Sequence, residues 1–160
     1  VDITYMGIGE LGEDGSVNST KMGVRCTGAG GFIDITQNAK KVVFLGTFTA
    51  GGAKYKFENR KLEILQEGKI RKMVRQVAQL SFNGPMARKK GQEVMVVTER
   101  AVFQLVKDGV ELIEIAPGID LRTQILDKMD FKPIISKNLR VMDERLFVQD
   151  GPFGLKLKEK

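Results

Sequence analysis

Hydrophobic alternation divides the chain into many short strands and few helices. Val1 to Gly9 alternates like a strand, Asp14-Gly15 marks a turn, and Val17 to Arg25 is predicted to return as an extended segment. Phe32, Ile35 and Ala39 recur at the spacing of one buried helix face, which predicts a short helix over about 32–39. Lys41 to Phe48 is apolar and β-branched, the pattern of a buried strand that follows the helix in a parallel crossover. Lys54 to Phe57 and Lys61 to Leu65 alternate about Glu58-Asn59-Arg60 and predict a hairpin. Met73 to Phe82 reads as a further strand, broken by Asn83-Gly84-Pro85, with Pro85 opening a short helix that ends near Gly91. Gln92 to Glu99, Ala101 to Val106 and Val110 to Ile115 are extended, the last two joined by a second Asp-Gly turn. Asp120 to Met129 is a helix candidate with Asp120 at its start and Leu121, Ile125 and Met129 on one face. Phe131 to Ser136 is a last extended piece, and from about Val148 the chain is polar and expected to be loose. No internal repeat or linker interrupts residues 1–147, so the expectation is one α/β unit, a mixed sheet with short helices, followed by a polar tail over 148–160.

Composition narrows the chemistry. The 160 residues are 42% hydrophobic and 29% charged, the balance of a globular domain with a real core. No apolar run approaches the roughly 20 residues of a membrane span. The alternating start reads as a strand and not as a leader, and its lack of an initiator Met points to a piece of a longer chain, a processed or expression product being the plainer alternative. A single cysteine, Cys26, fits a reducing cytoplasm, and the absence of His argues against Ser–His or Cys–His catalysis and most zinc chemistry. The net charge of +6 is scattered apart from Arg88-Lys89-Lys90 and the lysines of 156–160, with few aromatics beside them, so nucleic-acid binding is the lesser reading.

The candidate chemistry centres on Gly28-Ala29-Gly30-Gly31-Phe32-Ile33-Asp34. A glycine turn opening a helix offers free backbone N–H groups to a phosphate, a carboxylate or a developing oxyanion. Its spacing is not that of a dinucleotide fingerprint, because Ile33 stands where the third glycine belongs, and it lacks the Gly-Lys-Ser/Thr of a Walker loop. By spacing alone, a tight turn before a helix is an equal reading.

Several segments in order resemble the C-terminal part of a family I coenzyme A-transferase, of the single-chain acetate/propionate type. They are Gly15 to Lys21, Gly28 to Ala39, Val42 to Gly52, Thr98 to Phe103, Ile115 to Leu121 and Met129 to Ser136, together covering about residues 1 to 147. The resemblance implies an open α/β/α fold and CoA transfer between an acyl-CoA and a carboxylic acid through a glutamyl-CoA thioester. It implies that Gly31 is the backbone oxyanion donor, that Gly28 and Gly30 shape the loop near the CoA thiol end, and that Lys54 contacts CoA. CoA is then a cosubstrate, with no permanent cofactor and no metal, and the enzyme a cytoplasmic homo-oligomer that touches neither nucleic acid nor membrane. The nucleophilic glutamate of the family belongs upstream of Val1, together with the CoA-binding half, so the chain alone is expected to be inactive. Glu10, Glu13, Glu99 and Glu114 are weak substitutes: the first two flank a turn and are expected to be exposed, Glu99 suits an ion pair, and Glu114 lies in a strand. Asn18 is expected to pin a loop and Cys26 to be a small buried residue. The alternatives from other classes are a stand-alone anion- or nucleic-acid-binding basic domain and a purely structural or assembly domain.

Overall fold

The computed structural model describes residues 1–149, 151, 152 and 154. The strands of five residues or more are β1 (Ile3–Gly7), β2 (Lys41–Leu45), β3 (Lys54–Glu58), β4 (Lys61–Gln66), β5 (Glu93–Val97), β6 (Ala101–Val106), β7 (Gly109–Ile115) and β8 (Ile134–Val141). The helices are α1 (Phe32–Asn38), α2 (Gly84–Lys89) and α3 (Leu121–Gln124), the last continuing into a 3-10 turn over Leu126–Lys128. Six strands form one sheet in the order β1-β2-β5-β6-β7-β8. β1, β2 and β5 are mutually parallel, β5, β6 and β7 antiparallel, and β7 and β8 parallel again. The mixed α/β sheet with short helices is therefore the observed fold, and the apolar run at 42–44 is a central parallel strand. β3 and β4 form the separate hairpin that the alternation predicts, with positive φ at Asn59 and Arg60.

Most of the core lies on one face of the sheet, with Val43 and Val102 buried on the other. Val42, Phe44, Val94, Val96, Phe103 and Leu112 are all at most 4% exposed. Three aromatic contacts land there: Phe32 of α1 stacks on Phe44 at 6.0 Å, Phe82 meets Phe44 edge-on at 5.2 Å, and Phe48 stacks on Phe103 at 6.3 Å. Asn83 caps α2 by accepting the Met86 N–H, and Asp120 caps α3 by accepting that of Thr123.

Five expectations are corrected. Only Met73–Val74 of the proposed 73–82 strand pairs, with Leu11 and Gly12, before Phe82 returns as a single bridge to Val17. Between them the chain has no strand neighbour, and the Ala78 N–H donates to the Glu10 carboxylate instead. The 17–25 segment splits into two-residue pairings, because Gly23 at φ 59° folds Lys21-Met22 back on Arg25-Cys26. Ile35 is exposed and Thr36 occupies the buried face of α1, its hydroxyl satisfied by the Phe32 carbonyl. The 120–129 helix breaks at Ile125 (φ −121°, ψ −70°), although Ile125 and Met129 are buried as their spacing predicts. β8 also runs five residues past Ser136, to Val141. Most of the loose tail expected from Val148 onward, with the lysines of 156–160, lies outside the described residues.

Phe44, wholly buried between two other rings, is the core position with most to lose. Phe44→Ala is expected to lower the unfolding free energy by about 3–5 kcal/mol, whereas Ile35→Ser costs under about 0.5 kcal/mol. Urea unfolding of both variants checks the pair, and equal losses would contradict this placement of the core.

Candidate functional site

Parallel pairing puts the C-terminal ends of β1, β2 and β5 side by side at Gly7, Leu45 and Val97. The loops beyond them are stitched together: Ile8 N–H donates to the Leu45 carbonyl at 3.1 Å and Gly46 N–H to that of Val97 at 3.2 Å. A Cβ on Gly46 would stand 2.8 Å from Ile8 Cγ2 and 3.1 Å from Lys72 Nζ, so the close approach requires glycine. Ligands of open α/β sheets bind at this kind of edge.

The glycine turn sits on this edge. A depression of about 340 Å³ is lined by Gly7, Ile8, Gly9, Ser19, Met22, Ala29 and Phe32. Ser19 Oγ donates to the Gly7 carbonyl at 2.8 Å within this lining, and Thr27 N–H to that of Thr20 at 2.9 Å, which ties down the chain just before the turn. Gly28 and Gly30 have φ of 81° and 51°, a region that favours glycine. Gly31 lies at φ −82° as the residue that opens α1, and Phe32 N–H closes the turn on the Ala29 carbonyl at 2.9 Å. Among the described residues, no protein acceptor takes the amides of Gly28, Gly30 or Gly31. Three exposed backbone donors on a pinned turn can hydrogen-bond an anionic oxygen without reorganising.

Lys54 stands apart from this turn. It is exposed at the start of β3, opposite Gln66, and among the described residues no hydrogen bond or ion pair joins it to residues 28–31. Asn18 is fully buried and pins its loop: its amide nitrogen donates to Glu10 and to the Lys21 carbonyl, and its oxygen accepts from Thr20 and Lys21. Glu10 is thereby half-buried and not exposed as expected, because its carboxylate serves both Asn18 and Ala78. Glu13 is exposed, and Glu114 pairs with Arg140 at 2.7 Å. Cys26 is exposed, against expectation, because its two-residue pairing stands off the core.

Sequence reading misses the polar cluster behind the same edge. The Arg100 side chain is wholly buried. It donates to both oxygens of Glu67 at 2.8 and 2.9 Å, to Glu99 at 2.7 Å and to the Gln124 carbonyl at 3.1 Å, and its guanidinium lies 4.9 Å from the Phe48 ring centre. Burial opposes its charge, but the two carboxylates outweigh burial and hold its pKa above the usual value. Burial likewise works to raise the Glu67 pKa, yet the donors Arg100, Thr49 and the Gly68 amide bring it below its ordinary value. Lys72 is also buried and donates to the Thr47 carbonyl at 2.7 Å; desolvation lowers its pKa against the pull of Glu99. Glu99 accepts the Phe48 N–H at 2.8 Å. Lys72 and Glu99 thus clamp the loop after β2 from two sides. The hydroxyl of Tyr55 is buried beside Glu99 and Arg100 without a hydrogen-bond partner, and burial raises its pKa. Glu99 alone carries a sequence signal, in Thr98-Glu99-Arg100; Glu67, Lys72 and Tyr55 read as ordinary hairpin and surface residues.

Among the described residues there is no group of three or more His, Cys, Asp or Glu arranged to hold a metal ion, and no helix is long and apolar enough to cross a membrane. Comparison with known proteins shows what the scaffold is similar to. The chain is 46% identical over 159 residues to "Acetate CoA-transferase YdiF" of Escherichia coli K12. It is homologous to a portion of the coenzyme A-transferases. A caffeate CoA-transferase of Acetobacterium woodii is 45% identical over 152 residues. The chain spans about a third of these relatives, 30% and 29% of their length. All of it superposes on 31% of the E. coli O157:H7 YdiF acyl-CoA transferase, solved as a thioester complex with CoA, with a TM-score of 0.95. The glutaconate coenzyme A-transferase of Acidaminococcus fermentans, 16% identical with a TM-score of 0.63, shares the fold. No protein-family model matches the chain.

The depressed pKa of Glu67 makes a pH prediction. A carboxylate whose folded pKa lies below the unfolded value stabilises the protein above that value, 4.5, and loses the contribution as pH falls through the folded one. Urea midpoints measured from pH 6 downward are expected to fall more steeply in the wild type than in Glu67→Gln, which starts lower at pH 6. Parallel profiles would contradict the charged pairing with Arg100.

Proposed function

We propose that the chain is the C-terminal portion of a short-chain acyl-CoA:carboxylate CoA-transferase, with the glycine turn as its oxyanion site. The observation that carries this reading is the set of unpaired amides at Gly28, Gly30 and Gly31, on the strand edge of a scaffold 46% identical to an acetate CoA-transferase. The upstream part of the same polypeptide supplies a glutamate nucleophile and most of the CoA site, and this chain alone is inactive.

In the proposed reaction the glutamate carboxylate attacks the acyl-CoA thioester carbonyl, and CoA leaves as a thiolate. The resulting acyl-glutamyl anhydride is attacked by that thiolate at the glutamyl carbonyl, which releases the first carboxylate and leaves a glutamyl-CoA thioester. The acceptor carboxylate then attacks this thioester, and the same two steps in reverse pass CoA to the acceptor acyl group. Each attack turns a carbonyl oxygen into an oxyanion, and the Gly31 N–H faces that oxygen. A preset donor of this kind is worth about 3–4 kcal/mol in the transition state. Gly28 and Gly30 shape the turn near the thiol end, and Lys54 contacts CoA farther out on an exposed hairpin. CoA is a cosubstrate and no resident cofactor is used. The enzyme is a cytoplasmic homo-oligomer. Its acyl preference is set elsewhere, because relatives named for acetate and for caffeate match this portion about equally, at 46% and 45% identity.

Gly31→Val tests the role directly. The backbone at φ −82° accepts a side chain, and a Cβ there meets Ile35 Cδ1 at an ordinary 3.4 Å, so the fold is retained. The added methyl groups crowd the space before the amide. Single-turnover transfer by the full-length enzyme is expected to slow by about 10²–10³-fold with unchanged unfolding midpoint. An unchanged rate would remove Gly31 from the chemistry and favour a structural role for the turn.

A further inference from the structure

Of the asparagines in the chain, only Asn83 is followed by glycine. A backbone amide nitrogen that follows asparagine can attack the side-chain amide carbon. The new C–N bond closes a five-membered succinimide and ammonia leaves. Water then opens the ring at either carbonyl, giving aspartate or the backbone-lengthened isoaspartate. Water is the one co-reactant, and a glycine at the next position removes the side chain that otherwise hinders ring closure.

The fold makes that glycine obligatory. A Cβ on Gly84 would stand 2.4 Å from the Gly15 carbonyl carbon, 2.5 Å from the Asp14 oxygen and 2.7 Å from the Ser16 nitrogen. α2 can therefore meet the 14–16 turn only through glycine. The seam extends to both sides: Val17 and Phe82 exchange backbone hydrogen bonds of 2.9 and 3.0 Å, and Arg88 Nη1 donates to the Asp14 carbonyl at 2.7 Å. The same contacts hold the reaction off. The Gly84 N–H must lose its proton before the nitrogen can attack, yet it is buried and donates to Ser16 Oγ at 3.2 Å. The Asn83 side chain must turn onto that nitrogen, yet its oxygen is engaged with the Met86 N–H, 3.0 Å away.

We infer that Asn83 is a deamidation site, latched shut in the folded chain and reactive when the seam between α2 and residues 14–17 opens. The two products differ in consequence. Aspartate at this position still accepts the Met86 N–H. Isoaspartate places one more backbone carbon before Gly84, so the glycine no longer fits against the 14–16 turn and the seam stays open. A transient opening becomes a permanent one. Its reach includes the neighbouring loop, because Ser81 Oγ accepts the Ser19 N–H at 3.0 Å and meets Thr20 Oγ1 at 2.8 Å.

Incubating the full-length protein in mildly alkaline buffer, with and without unfolding guanidinium chloride, tests the site. Conversion of each asparagine to acid is followed by peptide mass spectrometry. In the unfolded chain Asn83 is expected to convert faster than Asn18, Asn38, Asn59 and Asn138. In the folded protein its rate is expected to be at least about tenfold lower, since only the opened population reacts. Ser16→Ala removes the acceptor of the Gly84 N–H and is expected to raise the folded-state rate about fivefold, with the unfolded rate unchanged. Equal wild-type rates in the two conditions, or a folded-state rate that Ser16→Ala leaves unchanged, would overturn the latch. Unfolded-state conversion no faster at Asn83 than at the other four would overturn the site. Should Ser16→Ala fail to fold, the two wild-type rates decide alone.

Discussion

Parallel pairing of β1, β2 and β5 is the constraint from which the other features follow. Parallel strands cannot be joined by a tight hairpin, so the chain must cross the sheet between them. The first crossing carries the glycine turn and α1, and the second carries the β3–β4 hairpin, the 67–82 segment and α2. Both begin at the edge formed by Gly7 and Leu45. Loops distant in sequence are thereby gathered at one place, and the stitching bonds from Ile8 and Gly46 fix their relative height.

Gathering those loops has an electrostatic consequence. Arg100 enters the core beside Phe48, where an unpaired charge would cost several kcal/mol. Glu67, Glu99 and Lys72 bring the buried set to two positive and two negative groups, so the charges balance locally. Their hydrogen bonds to Thr47, Phe48, Thr49 and Gln124 hold separate loops to one another. The cluster is therefore a brace for the loops beyond β2, at the edge on which the glycine turn sits.

The legible parts of the fold were those in which local chemistry and tertiary context agree. Val42-Val43-Phe44 had to be a buried strand, Asp108-Gly109 a hairpin turn, and Asn83 with Pro85 a helix start. The segment 73–82 alternates like a strand but has no strand neighbour between Val74 and Phe82, and pairing is invisible in a single sequence. Thr36 displaced Ile35 from the buried face because a threonine can satisfy its hydroxyl on its own helix. In the turn, Gly28 and Gly30 fit positive φ, which favours glycine, whereas Gly31 at φ −82° does not need one. Lys72 and Tyr55 were not legible, since only the folded chain shows that they are buried. The exposure of Tyr5 and Leu45 was equally hidden, because both look like ordinary strand residues until the fold is known.

On the proposed function the turn is half of a reaction site, with donors in this chain and the nucleophile in another part of the polypeptide. Incubating the full-length protein with an acyl-CoA, then measuring intact mass and mapping peptides, tests that division most directly. The account predicts a covalent CoA adduct on a glutamate outside residues 1–160. A lack of covalent CoA, or an adduct on a carboxylate within this chain such as Glu99, would contradict it.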